Sequence, residues 1–264
     1  MRIPLFHVDA FSERPFQGNP AAVCFLDSWL DEDLLQRVAA ENNISATAFL
    51  VTHADGYEIR WFTPSCEVKL CGHATLATAH LLLNLRRSEL DSVTFQTRFR
   101  GTLTVRKCPD GLVMDLPSVS PTPCNTVPRS LRHALRLDSA PAEILEANQM
   151  YVVVIDSQER VRDLHPDFAV LQDLHPYVVS VTAPGTDSDF ASRYFAPSYG
   201  IPEDPVTGSA HCILTPYWAA RLGKRKLHAR QISERGGELW CELVGERVLV
   251  QGRAVVTMEG TLAI

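Results

Sequence analysis

The order of apolar and polar residues predicts strands along most of the chain, with a few helices between them. Short runs that alternate or stay apolar are typical of strands. In the first half they are IPLFHVDAF (3–11), AAVCFL (21–26), ATAFLVT (46–52), YEIRWFTP (57–64), SVTFQTRF (92–99), TLTVRK (102–107) and GLVMDLP (111–117). In the second half they are MYVVVI (150–155), YVVSVTA (177–183), RQISER (230–235), LWCELVG (239–245), RVLVQG (247–252) and RAVVTMEG (253–260).

Helical spacing is found in fewer places. Residues 31–42 put Leu34, Leu35 and Val38 on one face, as an amphipathic helix does. HATLATAHLLLN (73–84) is apolar on nearly every side, so we predict a helix buried at the centre of its domain. SAHCILTPYWAARLG (209–223) is similar, with a kink expected at Pro216 and an end at Gly223. A short helix is predicted near HPDFAVLQDL (165–174).

One pattern occurs twice, about half the chain apart. FTPSCEVKLCGHAT (62–75) and FAPSYGIPEDPVTGSA (195–210) both begin with aromatic-x-Pro-Ser, and both end in a Gly-polar-Ala step that opens an apolar run. The repeat indicates duplication. Each half has several strands and one buried helix, which predicts an α+β fold and not a βαβ alternation. We expect an N-terminal lobe over 1–116, which the strand near 253–264 joins, a proline-rich linker over 117–130, and a C-terminal lobe over 131–252.

Composition narrows the class of protein. A chain of 264 residues with 45% hydrophobic residues can bury large cores, and a net charge of −6 argues against nucleic acid as a partner. The N-terminus does not resemble a signal peptide, and no apolar run is long enough for a membrane span. Seven scattered cysteines without a C-x-x-C pair favour reduced thiols in the cytoplasm.

Two glycine turns are candidate binding elements. Gly72 and Gly208 each precede a predicted helix N-terminus, where exposed N–H groups favour an anion. Two copies in matched context favour a small carboxylate substrate, although either glycine alone would be explained by a tight turn. His73 follows Gly72, and we expect it to exchange hydrogen bonds with a ligand and not to serve as a core residue.

Other candidates have a structural interpretation beside the functional one. Asp204 suits either turn and helix-cap chemistry or a role as base, and Ser209 either starts a helix or contacts the ligand. Asn19 lies in a Gly-Asn-Pro turn that either lines the cleft or is purely structural. Glu67 is predicted to form a structural ion pair. A metal site built on Cys66, Cys71, His73 and His80 is disfavoured, since the spacing is not that of zinc ligands.

Several of these motifs, in order, resemble the phenazine biosynthesis PhzF family, which shares the diaminopimelate epimerase fold. They are HVDAF (7–11), PFQGNPAAV (15–23), ISATAFLV (44–51), FTPSCEVKLCGHATLATAH (62–80), RYFAPSYGIPEDPVTGSAHC (193–212) and GGELWCEL (236–243). The resemblance implies two lobes, each a curled, mostly antiparallel sheet around a central helix, with the active site between them. It also implies cofactor-free isomerase chemistry and a homodimer.

The family's acid/base residues map onto this chain with one exception. The resemblance assigns its histidine, aspartate and serine to His73, Asp204 and Ser209, while the position of its glutamate is occupied by Ala46. A methyl group cannot transfer a proton. Three explanations stay open: an engineered substitution, a natural member that uses Asp204 or His73 for another reaction, and a homologue that binds without turnover. The function hypotheses are therefore an isomerase and a non-catalytic small-molecule-binding or regulatory protein.

Overall fold

A computed structural model describes residues 1–53, 56–137 and 142–264 of the chain. These residues form two compact units. Unit 1 comprises Met1–Asp115 and Gln251–Ile264, and unit 2 comprises Leu116–Val250. The proline-rich stretch from 117 to 130 falls in unit 2, where Thr122–Pro123 form a short strand.

The strands of unit 1 follow the predicted runs closely. They are β1 Arg2–Ala10, β2 Asn19–Leu26, β3 Ala46–His53, β4 Gly56–Phe62, β5 Glu67–Val68, β6 Ser92–Thr97, β7 Gly101–Cys108, β8 Gly111–Pro117 and β18 Ala254–Ala263. β1 lies between β18 and β2, antiparallel to both, and β2 pairs with β3 in parallel. β3 and β4 are antiparallel, β4 and β6 parallel, and β6 and β7 antiparallel, while β5 pairs with the end of β4.

Two helices cover opposite faces of this sheet. The amphipathic helix α1 (Glu32–Asn42) is capped by the Asp31 side chain, and its apolar stripe packs on a cluster that includes Cys24 and Phe49. The helix α2 (Gly72–His80) is buried from His73 to Ala79 and continues as one π-helical segment, Leu81–Arg86. α2 packs against β1, β2, β3 and β18. The prediction of a helix without a polar face, buried at the centre of its unit, is confirmed.

Unit 2 has its own set of strands and helices. The strands are β9 Thr122–Pro123, β10 Glu143–Ala147, β11 Met150–Val154, β12 Val178–Pro184, β13 Phe190–Ala196, β14 Ile201–Asp204, β15 Lys226–Gln231, β16 Gly237–Val244 and β17 Arg247–Gly252. The helices are α3 Arg129–Ala134, α4 Gln158–Arg162, α5 Phe168–Gln172 and α6 Gly208–Leu222. α6 ends at Gly223, which has the left-handed conformation that glycine allows.

Pro216 lies inside α6, and the helix continues through it. Proline has no N–H to give to the carbonyl four residues earlier, which is that of Cys212. That carbonyl instead accepts a hydrogen bond from the Val119 amide at 3.0 Å. The lost helical bond is thereby replaced, and the proline-rich stretch supplies the replacement.

The two units repeat one order of strand pairing. In unit 2, β10 and β11 are antiparallel, β11 and β12 parallel, β12 and β13 antiparallel, β13 and β15 parallel, and β15 and β16 antiparallel. The short strand β14 pairs with β13 and leads to α6, as β5 pairs with β4 and leads to α2. The α+β class predicted from the repeat is confirmed, and the topology supports duplication.

Candidate functional site

In unit 1 the parallel pairing of β2 and β3 brings two polar residues together. Ala21 is opposite Ala46 in the register, so Asn19, two residues before Ala21, and Ser45, just before Ala46, lie at one edge of the sheet. Gly18 delivers Asn19 to this edge with φ +71°, and any side chain at Gly18 would collide with the Ala10 carbonyl oxygen. The Ser45 hydroxyl is 2.6 Å from Asn19 Oδ1 and 2.7 Å from the Pro20 carbonyl oxygen.

His73 extends this polar edge to the start of α2. Its Nε2 is 3.4 Å from Ser45 Oγ, and its Nδ1 is 3.5 Å from Cys71 Sγ. Because both short contacts of Ser45 are with oxygens that only accept, its hydroxyl hydrogen is used there and its lone pairs face His73. That arrangement favours the tautomer in which Nε2 carries the proton. Burial lowers the pKa of His73 to about 3, so the ring is neutral near pH 7.

Ala46 presents only a methyl group at this edge and is 1% exposed. In the register Ala46 pairs with Ala21, and Ala21 pairs with Val8, so these three side chains share the sheet face that α2 covers. Asp9 is the next residue of β1, and its side chain therefore points to the opposite face. Its carboxylate accepts a hydrogen bond from the Phe16 amide at 2.7 Å. Asp9 does not replace the glutamate of the family motif.

Glu67, the acidic residue nearest to Gly72 in the first repeat, is a structural ion-pair partner. Both of its carboxylate oxygens accept hydrogen bonds from the Arg60 guanidinium, at 2.7 and 2.8 Å. This confirms the prediction that Glu67 forms a structural pair.

In unit 2 the two acidic residues of the Glu-Asp-Pro motif have different surroundings because side chains alternate along β14. Glu203 forms a bidentate pair with Arg193, with both N–O distances at 2.7 Å. Asp204 is 8% exposed, and its Oδ2 accepts a hydrogen bond of 2.5 Å from the Thr207 hydroxyl. Glu203 therefore forms a structural ion pair, whereas the Asp204 side chain lies on the side of β14 where α6 begins.

Asp204 is not the N-cap of α6; that position belongs to Thr207, whose hydroxyl is committed to Asp204 and does not cap the helix. Gly208 is the first helical residue and is buried, and Ser209 is the second and is exposed. In α2 the N-cap residue Cys71 also makes no side-chain cap hydrogen bond. Gly72 and Gly208 thus each open a helix that the side chain of its N-cap residue does not cap. The prediction that each glycine turn leads into a helix N-terminus is confirmed.

The structure adds Ser45, Cys71, Thr207 and Gln231 to the residues singled out from sequence. Ser45 and Cys71 flank Ala46 and Gly72 in the chain, so adjacency to a candidate was the available signal. Gln231 ends β15, far from Asp204 in sequence, and its contacts with the Asp204 loop depend on the parallel pairing of β13 and β15. No local pattern points to it.

Within residues 1–53, 56–137 and 142–264, no group of three or more His, Cys, Asp or Glu side chains is arranged to hold a metal ion. None of the helices in the same residues combines the length and the apolar character needed to cross a bilayer.

Comparison with known proteins places these features in context. A family model described as "Phenazine biosynthesis-like protein" matches residues 8–260. An uncharacterized isomerase of Pseudomonas aeruginosa is 50% identical over 262 residues, covering 99% of both chains. The crystal structure of a PhzF-family protein from Enterococcus faecalis has 40% identity, full coverage of both chains and a TM-score of 0.93.

A more distant structure extends the likeness of the fold alone. A predicted epimerase from Pseudomonas aeruginosa superposes with a TM-score of 0.73 at 20% identity, over 99% of each chain. The resemblance stated from the sequence motifs and the epimerase-like α+β fold are both confirmed.

Proposed function

Because the chain belongs to the phenazine biosynthesis-like family, we propose that it is a cofactor-independent isomerase or epimerase of a small carboxylate-bearing substrate. Relatives that carry the name isomerase align with it over nearly their full length. The proposed reaction removes a proton from carbon and returns it, by general acid–base catalysis. The observation that carries the proposal is the retention of a buried, hydrogen-bonded carboxylate at Asp204 although Ala46 occupies the glutamate position.

Asp204 is the proposed base. A carboxylate that accepts a hydrogen bond from a hydroxyl is favoured in its charged form, which is the form that can take a proton. General acid–base catalysis contributes about 10²- to 10⁴-fold to a rate. One well-held carboxylate can supply this without the second carboxylate that the family motif has at position 46.

His73 has a different proposed role. Since burial keeps its ring neutral, His73 brings no positive charge and can form only neutral hydrogen bonds. Asn19 and Ser45 fix its tautomer through the contact at Nε2. We propose that Asp204 removes the proton and returns it, while His73 polarises the substrate as a neutral hydrogen-bonding group.

The substrate carboxylate is proposed to bind at the uncapped helix starts. The side chains of Cys71 and Thr207 do not cap the amides that follow them, and the positive end of a helix dipole favours an anion. Gly72 and Gly208 let a ligand approach these amides closely, and the exposed Ser209 hydroxyl can donate a further hydrogen bond.

The experiment that tests the function is deuterium wash-in. The native protein is incubated in D₂O with a panel of cyclic carboxylic acids and amino acids, and carbon-bound deuterium is measured by mass spectrometry and proton NMR. The expected result is enzyme-dependent incorporation into at least one compound. Ala46→Glu is assayed beside it, because it restores the family residue at that position.

A negative result in this assay has a defined meaning. If neither the native chain nor Ala46→Glu exchanges any compound that binds, the isomerase proposal is overturned. The hypothesis of a non-catalytic small-molecule-binding or regulatory homologue then stands instead. Binding is scored separately, as a ligand-dependent rise in melting temperature.

Assembly and location are proposed from the family resemblance and the cysteine content. We propose a homodimer that works in the reducing cytoplasm. Light scattering after size-exclusion chromatography is expected to give twice the mass of the chain, and a mass equal to one chain would contradict the dimer. Fractionation of the source cells tests the location.

A further inference from the structure

The loop between β14 and α6 holds Asp204 through a chain of hydrogen bonds that starts at Gln231. The Gln231 side chain is 1% exposed, and it contacts this loop at three points. Its Oε1 accepts from the Thr207 amide at 2.9 Å, and its Nε2 donates to the Asp204 carbonyl oxygen at 2.7 Å. Nε2 also lies 3.2 Å from Thr207 Oγ1. One side chain therefore ties together both ends of the loop.

The direction of each hydrogen bond follows from the chemistry of the groups. A backbone amide can only donate, so the Gln231 atom beside the Thr207 amide is its oxygen and the other atom is its NH₂ group. That NH₂ group has two hydrogens, one for the Asp204 carbonyl and one for Thr207 Oγ1. The Thr207 hydroxyl hydrogen is then left to point at the Asp204 carboxylate.

We propose that Thr207 and Gln231 are positioning residues, which hold the Asp204 carboxylate ionised and in one orientation for proton abstraction. The inference rests on the proposed function of Asp204 as base. Thr207 donates the 2.5 Å bond to Oδ2, and Gln231 fixes the direction of the Thr207 hydroxyl. Charge-assisted bonds of this kind are short and strong, and they favour the ionised carboxylate.

Thr207 does not cap helix α6 with its side chain, because its hydroxyl is hydrogen-bonded to Asp204. Threonine at an N-cap position ordinarily accepts a hydrogen bond from an amide of the first turn, which stabilises the helix. Thr207 occupies that position in α6 and makes no such bond. Its carbonyl oxygen is also engaged, since it accepts from His211 Nδ1 at 2.9 Å. The backbone of Thr207 is thus held from two sides while its hydroxyl serves Asp204.

The titratable groups around Asp204 do not compete with it near neutral pH. Tyr194 is opposite Asp204 in β13, and burial followed by the charge of Asp204 raises the pKa of its hydroxyl. Burial lowers the pKa of His211 in α6 to about 4. On the other face of β14, Glu203 is paired with Arg193. A carboxyl titration that changes on altering Thr207 therefore reports on Asp204.

The first measurement does not depend on turnover. The carboxyl ¹³C shift of Asp204, assigned with Asp204→Asn, is followed against pH in the native protein, Thr207→Ser and Thr207→Val. Loss of the hydroxyl donor in Thr207→Val is expected to raise the Asp204 titration midpoint by about 1 pH unit, since such bonds to charged groups contribute roughly 1.5–3 kcal/mol. Thr207→Ser retains the donor and is expected to retain the midpoint. Equal midpoints in all three proteins would overturn the proposal.

A matched pair of glutamines separates positioning from general stability. Gln158 is a second buried glutamine of unit 2, 3% exposed, whose Oε1 accepts from the Thr186 amide at 3.1 Å. Gln231→Leu and Gln158→Leu are both expected to lower the melting temperature. Gln231→Leu alone is expected to raise the Asp204 midpoint, and a shift of equal size in Gln158→Leu would contradict the assignment.

The second measurement uses the pH profile of deuterium wash-in on any compound that the native protein exchanges. In Thr207→Val the acid limb of kcat/KM is expected to move to higher pH by the same amount as the NMR midpoint, with Thr207→Ser restoring it. If the acid limb of kcat/KM in Thr207→Val stays at the native pH, Thr207 has no role in the reaction. If neither the native protein nor Ala46→Glu exchanges any compound that binds, the proposed function fails, and the NMR titration still decides whether Thr207 and Gln231 control Asp204.

Discussion

The starts of α2 and α6 have the same place in the repeated topology but opposite chemistry. At α2 the polar groups are Asn19, Ser45 and His73, and the histidine is neutral because burial lowers its pKa. At α6 the central group is the Asp204 carboxylate, which accepts from Thr207. One duplicated frame therefore carries a neutral hydrogen-bonding cluster in unit 1 and an anionic one in unit 2.

This difference bears on position 46, where Ala46 stands in place of the glutamate of the family motif. A carboxylate at position 46 would add a second negative charge to the candidate site residues. In this chain the negative charge among them is that of Asp204. On the proposed function, the Asp204 carboxylate in unit 2 takes the proton from the substrate. The substitutions and pH changes below test this contrast between the two helix starts.

The largest expected effect on stability comes from adding a carboxylate to the neutral cluster. Ala46 and Ala48 lie on the same face of β3 and are both buried, but only Ala46 adjoins the polar groups at the sheet edge. Ala48→Glu is expected to lower the free energy of unfolding by about 3–5 kcal/mol, because an unpaired charge is buried. Ala46→Glu is expected to cost clearly less, since Ser45 and His73 can bond the new carboxylate. Urea unfolding measures both, and equal losses would contradict a polar environment at position 46.

Acid pH tests the neutral state of the buried histidine in each cluster. The folded-state pKa values of His73 and His211 are lowered to about 3 and 4 from 6.5, so the unfolded chain binds protons that the folded protein does not. Stability is therefore fully present above pH 6.5 and is lost as the pH falls towards 4. Each histidine contributes a slope of up to about 1.4 kcal/mol per pH unit in this window.

Single substitutions assign that slope. His73→Gln and His211→Gln are each expected to flatten the dependence of unfolding free energy on pH by about one proton. The measurement is urea unfolding at half-unit steps between pH 4.5 and 7. If the slope is unchanged in both His73→Gln and His211→Gln, neither ring is held neutral.

The smallest effect is expected from the serine that orients His73. Ser45→Ala removes the contacts with Asn19 Oδ1 and the Pro20 carbonyl oxygen, and should cost about 1 kcal/mol of unfolding free energy. Ser12→Ala is the control, because the exposed Ser12 bonds only within its own turn, to Arg14. A loss no larger than that of the control would show that Ser45 does not hold the cluster together.

Much of the fold could be predicted from sequence because its signals are local. The strands of unit 1, the helix over 31–42 and the buried helix after Gly72 all follow from apolar spacing. The continuity of α6 through Pro216 could not be predicted, since its replacement hydrogen bond comes from Val119, nearly a hundred residues earlier in the chain. Short strands such as β5 and β14 lack a periodic pattern and form through their pairing with longer neighbours.

The candidate residues divide in the same way. His73, Asp204 and the two glycines stand in recognisable motifs, and the structure puts each at the start of α2 or α6. Gln231 could not be predicted, because its role depends on which strands are neighbours. The role of Thr207 was hidden for another reason: its position in the chain fits a helix cap, and only the contact with Asp204 shows that its hydroxyl is used elsewhere.

The most direct test of the account compares two neighbouring carboxylates in the deuterium wash-in assay. Asp204→Asn is expected to lower the rate of incorporation by about 10²- to 10⁴-fold while the protein stays folded, because the amide cannot accept the proton. Glu203→Gln, which weakens the structural pair with Arg193, is expected to lower the melting temperature and to leave the rate within a few-fold of native. An Asp204→Asn protein that exchanges deuterium as fast as the native chain would contradict the claim that unit 2 supplies the base.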